Sequence, residues 1–411
     1  MLDALVLLIG KMVLWIMRRL GRHGAALPGL IAEKLRPSLL LKLNELPEGI
    51  IVISGTNGKT TTTRLVTDVL RRSGKRVFTN HSGSNMTRGL LASIIRFTTL
   101  TGRLNYDVAV LEIDEAYAAK LAPLLTPRAS ILTNVLRDQL DRFGEIDYTA
   151  DLLFKLAEHT TELVVYNARD SRLSRIVEKK SKSKVISFGF DDSLASYFPD
   201  DDALYGKSKN TSRADCELLA VDKGTLHLMY VDKKISIDVS TLAGWHNALN
   251  LTATYALIKT LFTDIDDNVF DNLKPPYGRG ETLWVKEKRL ILQLVKNPAG
   301  FRIAMDVEPT LPALIVINDA IADSRDVSWL WDVDVDPLRH RESIYCSGSR
   351  AYDMTVRLKY NDINVVSTTT DVLESLESFL RDNREGVVFL TYTAMLETRH
   401  ILSNKMGASR D

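Results

Sequence analysis

The sequence predicts an α/β protein: a parallel sheet flanked by helices around a P-loop, followed by a smaller, Rossmann-like α/β domain. Three observations predict it. Four β-branched residues, Ile50-Ile51-Val52-Ile53, run into the turn Ser54-Gly55-Thr56-Asn57-Gly58-Lys59-Thr60, and a helical pattern follows at once. Apolar strand-like runs then alternate with helical stretches as far as about residue 170, which implies a largely parallel sheet. After the punctuation Lys274-Pro275-Pro276-Tyr277-Gly278-Arg279-Gly280-Glu281, a second alternating set begins. The expected division is a helical segment over 1–45, a nucleotide-binding domain over 46–280 and a C-terminal domain over 281–411.

The first stretch, residues 2–17, is almost wholly apolar, interrupted by Asp3 and Lys11 and followed by Arg18, Arg19 and Arg22. A spanning helix needs about 20 apolar residues, and a secretory signal carries its charges ahead of the apolar run. The stretch therefore reads as a helix that either packs on the body or lies at a membrane face, basic end near the headgroups.

Gly55, Thr56, Asn57, Gly58, Lys59, Thr60 and Thr61 make the candidate phosphate cradle. Backbone N–H groups converge there, the helix dipole adds positive character, and Lys59 supplies a full charge. The Thr60 hydroxyl falls where the magnesium of a nucleotide belongs. Ile53 stands where the general P-loop pattern has glycine, so the motif is the shorter Gly-x-x-Gly-Lys-Thr form.

Residues 75–79 read as a strand leading into a polar loop over 80–85 that could close over phosphates, and 86–97 as a helix. The strand over 107–113 ends among Glu112, Asp114 and Glu115. Ligands of parallel sheets sit at strand carboxyl ends, and hard oxygens beside a P-loop point to magnesium, with Thr60 and Glu112 as its ligands. A strand over 129–133 ends at Asn134; a helix over 148–158 and a strand over 163–166 continue the alternation. Residues 190–212 read as a polar insertion, 216–240 as short antiparallel strands, and 244–250 as the start of a helix. In the C-terminal part, strands are expected at 290–295, 314–317, 344–346, 365–366 and 387–390, with a helix at 370–381.

The 411 residues are 45% hydrophobic and 26% charged, an ordinary globular balance with a net charge of +1. Nothing in that balance favours a nucleic-acid partner. The two cysteines, Cys216 and Cys346, form no CxxC pair, which suits a reducing compartment and excludes a cysteine-built zinc site.

Three elements together resemble the Mur ligase superfamily: Gly-Thr-Asn-Gly-Lys-Thr at 55–60, Gly-Trp-His-Asn-Ala-Leu-Asn at 244–250 and Tyr-Gly-Arg-Gly-Glu at 277–281. Glu112-Ile113-Asp114-Glu115, Thr133-Asn134, the 137–145 segment, Lys296-Asn297-Pro298-Ala299-Gly300 and the run from Asn318-Asp319 to Trp329 are similar to its MurT branch. The resemblance covers nearly the whole chain. It implies amidation with ATP: the α-carboxylate of D-glutamate in the lipid II stem peptide is phosphorylated, then captured by ammonia from a GatD-type glutaminase partner. It also implies a cytoplasmic protein, working at the inner membrane face in cell-wall synthesis. Lys59, with magnesium on Thr60 and Glu112, would neutralise the transferring phosphoryl group. By the same resemblance Asn134 belongs to the nucleotide site, Asn247 contacts adenine, Arg279 reaches the phosphates, and Asp326 completes the glutaminase's Cys–His pair.

The residues alone do not choose Asp326 over Asp319, Asp323 or Asp332. Two features depart from the family. Members of the branch often carry a four-cysteine zinc ribbon where this chain has only Cys216, so no zinc is expected. Gln139 replaces the histidine of many Mur ligases, and no counterpart of their carbamylated lysine is evident. Two other readings stay open: an amide ligase that adds an amino acid, and an idle nucleotide-binding module that recruits the glutaminase.

Overall fold

The computed structural model describes the chain except residues 1, 20–25, 81–84, 100, 137–145, 175–181, 199–212, 243, 275–278, 324–325 and 411. Helices α1 (Leu2–Arg19) and α2 (Ala26–Leu35) and a 3-10 stretch (Pro37–Glu45) precede the first sheet. That sheet takes β1 (Ile50–Ser54), β2 (Val77–Thr79), β3 (Val108–Glu112), β4 (Ala129–Leu132), β5 (Leu163–Asn167), β6 (Lys184–Phe190), β7 (Cys216–Asp222), β8 (Thr225–Tyr230) and β9 (Lys233–Asp238). Between them lie α3 (Lys59–Arg72), α4 (Thr87–Phe97), α5 (Glu115–Leu125) and α6 (Ile146–Glu158), and α7 (Trp245–Leu261) follows. The strand order is β2-β3-β1-β4-β5-β6-β7-β8-β9, parallel as far as β7 and antiparallel at its β7–β8–β9 edge.

Strand β1 shows why the run at 50–53 is continuously apolar. Ile51 and Ile53 enter one hydrophobic cluster with Leu65, Val69 and Leu257, under α3 and α7. Ile50 and Val52 enter the other, with Leu90, Ile94 and Leu121 under α4 and α5. A parallel strand covered on both faces needs apolar side chains at every position. Beside it, Ile53 pairs with Glu112 of β3 and Ser54 with Leu132 of β4, so the P-loop emerges between two strand ends.

The second sheet holds β10 (Arg279–Val285), β11 (Lys288–Leu294), β12 (Ala313–Val316), β13 (Ile344–Ser347), β14 (Ser367–Thr368), β15 (Glu385–Leu390) and β16 (Ser409–Arg410). Its order is β14-β13-β12-β15-β11-β10-β16, with helices α8 (Pro298–Met305), α9 (Ala351–Lys359), α10 (Val372–Asp382) and α11 (Tyr392–Asn404). Both faces are again covered, one cluster around Phe301 and Phe389, the other around Phe379 and Leu402.

Several expectations change. The last parallel strand of the second sheet is Ser367–Thr368, two residues beyond the 365–366 read from the sequence: Val366 is exposed and Val365 packs beneath. Arg279 to Glu281, read as linker, already belong to β10. Strand Lys184–Phe190 and helix Tyr392–Asn404 carried no expectation; polar residues interrupt both apolar patterns. The 216–238 hairpins stand on an apolar interior of Leu218, Leu226, Leu228 and Ile237, with the buried Cys216 thiol donating to the Thr252 carbonyl. The loop over 81–84, the 137–145 segment with Gln139, and most of the 190–212 insertion lie outside the described residues.

Helix α1 packs on the body by one face, the first of its two readings. Val6, Leu7 and Gly10 pack inward, Gly10 against Ile95, while Leu5, Leu8, Met12, Trp15 and Ile16 stay exposed. No helix among the described residues is long and apolar enough to cross a membrane. Helix α2 crosses α4 so closely that a Cβ on the buried Gly29 would stand 1.9 Å from the Arg88 carbonyl oxygen. That obstacle is backbone and cannot rotate away. Gly29→Val should therefore lower stability by about 3 kcal/mol or more, read as a fall in the urea midpoint at unchanged slope.

Candidate functional site

The P-loop conformation rests on two glycines. Gly55 has φ 127°, and a Cβ there would lie 2.3 Å from Thr133 Oγ1. Gly58 has φ 88°, and a Cβ there would lie 2.5 Å from Asn250 Oδ1. Both positions need glycine for backbone angle and for space. The end of β4 then ties the turn down. Thr56 N donates to the Asn134 carbonyl at 2.9 Å, and Asn57 N donates to Asn134 Oδ1 at 2.9 Å. Asn134 Nδ2 and Thr133 Oγ1 donate back to the Asn57 carbonyl at 3.1 and 2.7 Å.

Lys59 opens α3 with its ammonium folded onto the turn. It donates to the carbonyls of Gly55 and Thr56 and lies 3.2 Å from Glu115 Oε1. The two side chains are only 8% and 6% exposed, so each charge depends on the other. Burial pushes the Glu115 carboxyl up, but Lys59, its own backbone N–H and the more distant Lys296 outweigh that and hold it below the usual range. Thr60 Oγ1 donates to Glu112 Oε1 at 3.0 Å, and Thr61 is buried in the same turn. Asn80 clamps the end of β3: its Oδ1 accepts from Glu112 N at 3.0 Å and its Nδ2 donates to the Glu112 carbonyl at 2.8 Å.

The structure thus brings Gly55, Thr56, Asn57, Gly58, Lys59, Thr60, Thr61, Glu112 and Asn134 into one cluster. A hydroxyl and a carboxylate side by side are hard oxygen donors of the kind magnesium accepts, alongside waters and phosphate oxygens. No group of three or more His, Cys, Asp or Glu gathers into a metal cage among the described residues.

A cleft adjoins the P-loop, lined among others by Asn57, Asn134, Arg169, Phe190, Phe198 and His246. Phe198 stacks on Phe190 at 4.2 Å and meets the His246 ring at 5.0 Å. Asp170 closes the polar side, accepting from the backbone N–H groups of Val135, Arg172 and Leu173 at 2.6, 3.0 and 3.2 Å. Burial still pushes its carboxyl up to about 6. Asn247 is not among the lining residues; its neighbours His246 and Leu249 form that wall. The Arg279 side chain lies outside the described residues.

Sequence reasoning did not single out Asn297 as a site residue, although it quoted the motif that contains it. Asn297 Nδ2 donates to Asn57 Oδ1 at 3.1 Å, which joins the second domain to the P-loop, and Asn297 Oδ1 caps α8 by accepting from Gly300 N at 2.7 Å. Nor did it single out Asn80, Asp170, or Glu115 as the partner of Lys59. Of these only Glu115 had a signal, as one of three acids ending a strand.

Asp326 belongs to a different group, on the exposed loop after β12. Its Oδ1 accepts from Ser328 N at 2.8 Å, and bonds from Ser328 hold the carboxyl below its usual range. Asp323 is buried and engaged with Thr393, whose N donates to Asp323 Oδ1 at 2.7 Å, and Asp319 accepts from the Ser349 hydroxyl at 2.8 Å. Asp326 and Asp332 are the exposed acids of the four.

A P-loop at the centre of a parallel sheet, met by a second α/β domain, is a fold shared with solved MurF ligases. MurF ligase from Thermotoga maritima, solved with ADP, aligns with a TM-score of 0.70 at 16% identity over 92% of this chain and 84% of that one. Folylpolyglutamate synthase from Mycobacterium tuberculosis, solved with ADP and AMPPCP, aligns at 0.61 and 17% identity over 90% and 95%. Residues 53–258 match the Mur ligase middle domain and 294–395 the MurT ligase C-terminal family. The subunit MurT of lipid II isoglutaminyl synthase (glutamine-hydrolyzing) from Streptococcus pneumoniae is 30% identical over 97% of this chain and 96% of its own length. Its Staphylococcus aureus counterpart is 30% identical over 85% of both. The chain belongs to the MurT family of Mur ligases.

Burial lowers the His246 imidazole from its ordinary value to about 4. Between pH 6.5 and 4 the unfolded chain therefore binds more protons at this residue, and stability falls as pH drops through that window. In His246→Phe the fall over the same window should shrink by up to about 3 kcal/mol, read from urea unfolding of both chains at each pH. The raised Asp170 acts in the opposite sense in both chains, so it cancels in the difference.

Proposed function

We propose that this chain is the ligase subunit of a lipid II amidating enzyme. It uses ATP to convert the α-carboxylate of D-glutamate in the stem peptide to the amide, giving D-isoglutamine for peptidoglycan. One observation carries the reading: Lys59 and the Thr60–Glu112 pair stand together at the P-loop of a chain whose family members are named for this synthase.

A carboxylate becomes an acyl donor once phosphorylated. Its oxygen takes the γ-phosphoryl group, ADP departs, and ammonia then attacks the acyl carbon and expels phosphate. Such transfer is catalysed by positioning and charge neutralisation rather than by a protein nucleophile. Lys59 neutralises phosphate charge from within the cradle, and the cradle's N–H groups hold the phosphates in line. Thr60 and Glu112 would hold magnesium, which supplies further neutralisation of the phosphate oxygens. The aromatic and polar walls of the adjoining cleft, Asn134 among them, suit the nucleoside, with Asn247 as the adenine contact and Arg279 as the residue that reaches the phosphates. Asn297 of the second domain touches Asn57 and so couples the 281–411 domain to the phosphates.

The ammonia comes from a GatD-type glutaminase bound as a heterodimer, and Asp326 serves as the orienting acid of that partner's Cys–His pair. Its exposed, ionised carboxyl supports this role, because such an acid must reach a second protein and stay charged. The outward apolar face of α1 (Leu5, Leu8, Met12, Trp15), with Arg19 stacked on Trp15 at 4.7 Å, suits peripheral contact with the inner membrane face where lipid II resides.

The test is mass spectrometry of lipid II incubated with the chain, ATP, magnesium and ammonium, with and without a GatD-type glutaminase. Amidation of the D-glutamate carboxylate is expected with ammonium alone and with glutamine when the partner is present; no product in either condition sinks the reading. Lys59→Ala should cut amidation by at least about 10²-fold while leaving glutaminase association intact, checked by rate and by co-purification. Asp326→Asn should lose glutamine hydrolysis by on the order of 10³–10⁴-fold yet keep ammonium-driven amidation. Normal glutamine hydrolysis in that variant would remove Asp326 from the partner's site.

A further inference from the structure

Strand β2 is short: its ladder with β3 ends where Thr79 faces Val110, two residues before Glu112. The Glu112 backbone is nevertheless held on both sides. On the β1 side Ile53 lies opposite Glu112, and Ile113 N donates to the Ile53 carbonyl at 3.1 Å. On the β2 side the Asn80 carboxamide takes over from the ended strand. Its Oδ1 accepts from Glu112 N at 3.0 Å and its Nδ2 donates to the Glu112 carbonyl at 2.8 Å. A carboxamide offers the donor and acceptor of a peptide unit, so one side chain makes the pair of bonds that strand backbone would otherwise make.

Asn80 and Glu112 are each 5% exposed. At that depth backbone N–H and C=O groups are paired, and here the pairing comes from a side chain. A second fastening follows, where Asp114 N donates to the Asn85 carbonyl at 3.0 Å. The chain leaving β2 is therefore pinned to the acid run at Glu112 and again at Asp114. Thr60, the other member of the oxygen pair, stands at the start of α3 and donates to Glu112 Oε1 at 3.0 Å. The P-loop fixes Thr60, and the bonds to Asn80 fix the backbone from which the Glu112 carboxylate extends. Magnesium accepts oxygens only near ideal octahedral positions at about 2.0–2.1 Å, whereas calcium takes them flexibly at about 2.3–2.6 Å. A small shift of Glu112 therefore costs magnesium more than calcium.

We propose that Asn80 is the positioning residue of the metal pair, fixing Glu112 against Thr60 and so setting the site's preference for magnesium over calcium. The inference rests on the reading of Thr60 and Glu112 as magnesium ligands given above. Asn80 acts through the Glu112 backbone, as an outer partner that holds a ligand in place. Loss of such a partner weakens metal binding without removing a donor atom.

The test is equilibrium binding of a fluorescent, non-hydrolysable ATP analogue to the full chain, titrated with magnesium, titrated with calcium, and in EDTA. In Asn80→Ala the magnesium concentration at half-effect should rise by about 10–100-fold, the calcium one by clearly less, with affinity in EDTA unchanged. Asn80→Ser, whose hydroxyl can still meet one of the two backbone groups, should shift magnesium the same way by less, and it serves if Asn80→Ala does not fold. Affinity lost as much in EDTA as in magnesium, in both variants, overturns the proposal in favour of a role in holding the fold alone. Equal shifts for magnesium and calcium overturn it as well. An unchanged magnesium titration in Asn80→Ala, beside a weakened one in Glu112→Gln, removes Asn80 and leaves the metal pair standing. An unchanged titration in Glu112→Gln removes the ligand itself, and with it both the proposal and that part of the functional reading. Lipid II does not enter the measurement, so absence of amidation would fail the proposed function and leave this result intact.

Discussion

A lysine with almost no access to water must be answered by an opposite charge, and in this protein that requirement organises the site. Lys59 and Glu115 lie 3.2 Å apart in a nearly closed environment. Removing either would strip a buried charge of this ion-pair partner, at a cost of several kcal/mol. The pairing demands that the start of α5 stand directly over the P-loop. It does so because β3 pairs with β1, and Asp114 caps α5 by accepting from Ala116 N. The same strand end sets Glu112 beside Thr60, so one register decides both the charge balance of the lysine and the oxygen pair at the helix start.

The second dependence is between domains. Two asparagines from distant parts of the chain, Asn57 and Asn297, share a hydrogen bond where the P-loop meets α8. Asn297 also caps α8, so its orientation is held from its own side. The P-loop is held from the other side by Thr133 and Asn134. A movement of the second domain would therefore act first on the side chain of Asn57, within the phosphate cradle itself.

Much of this was legible before any coordinates. The glycines at 55 and 58, the apolar run before them and the acids at 112–115 each follow from local rules of turn, burial and strand ending. Those rules place Thr60 at the helix start after the P-loop and Glu112 at the carboxyl end of a strand. They do not reach Asn80 or Asp170, polar residues whose bonds run to backbone groups far along the chain, with no periodic pattern to mark them. Strand Lys184–Phe190 escaped for a related reason, since its first two residues are exposed or partly exposed and Ser187 and Gly189 interrupt the apolar run of its buried remainder.

The sequence by itself determined the class of fold, the P-loop and the family, because these depend on short contiguous stretches: a buried strand, a glycine turn, a helix start and motifs of five to seven residues. Only the tertiary structure decided which acid faces Lys59, which of the acids after β12 is engaged and which exposed, and that the hairpins at 216–238 stand on an apolar interior. Those outcomes turn on distances between residues tens or hundreds of positions apart. Such distances are set by strand register and by side chains packing from both faces of a sheet, and no local pattern carries that information.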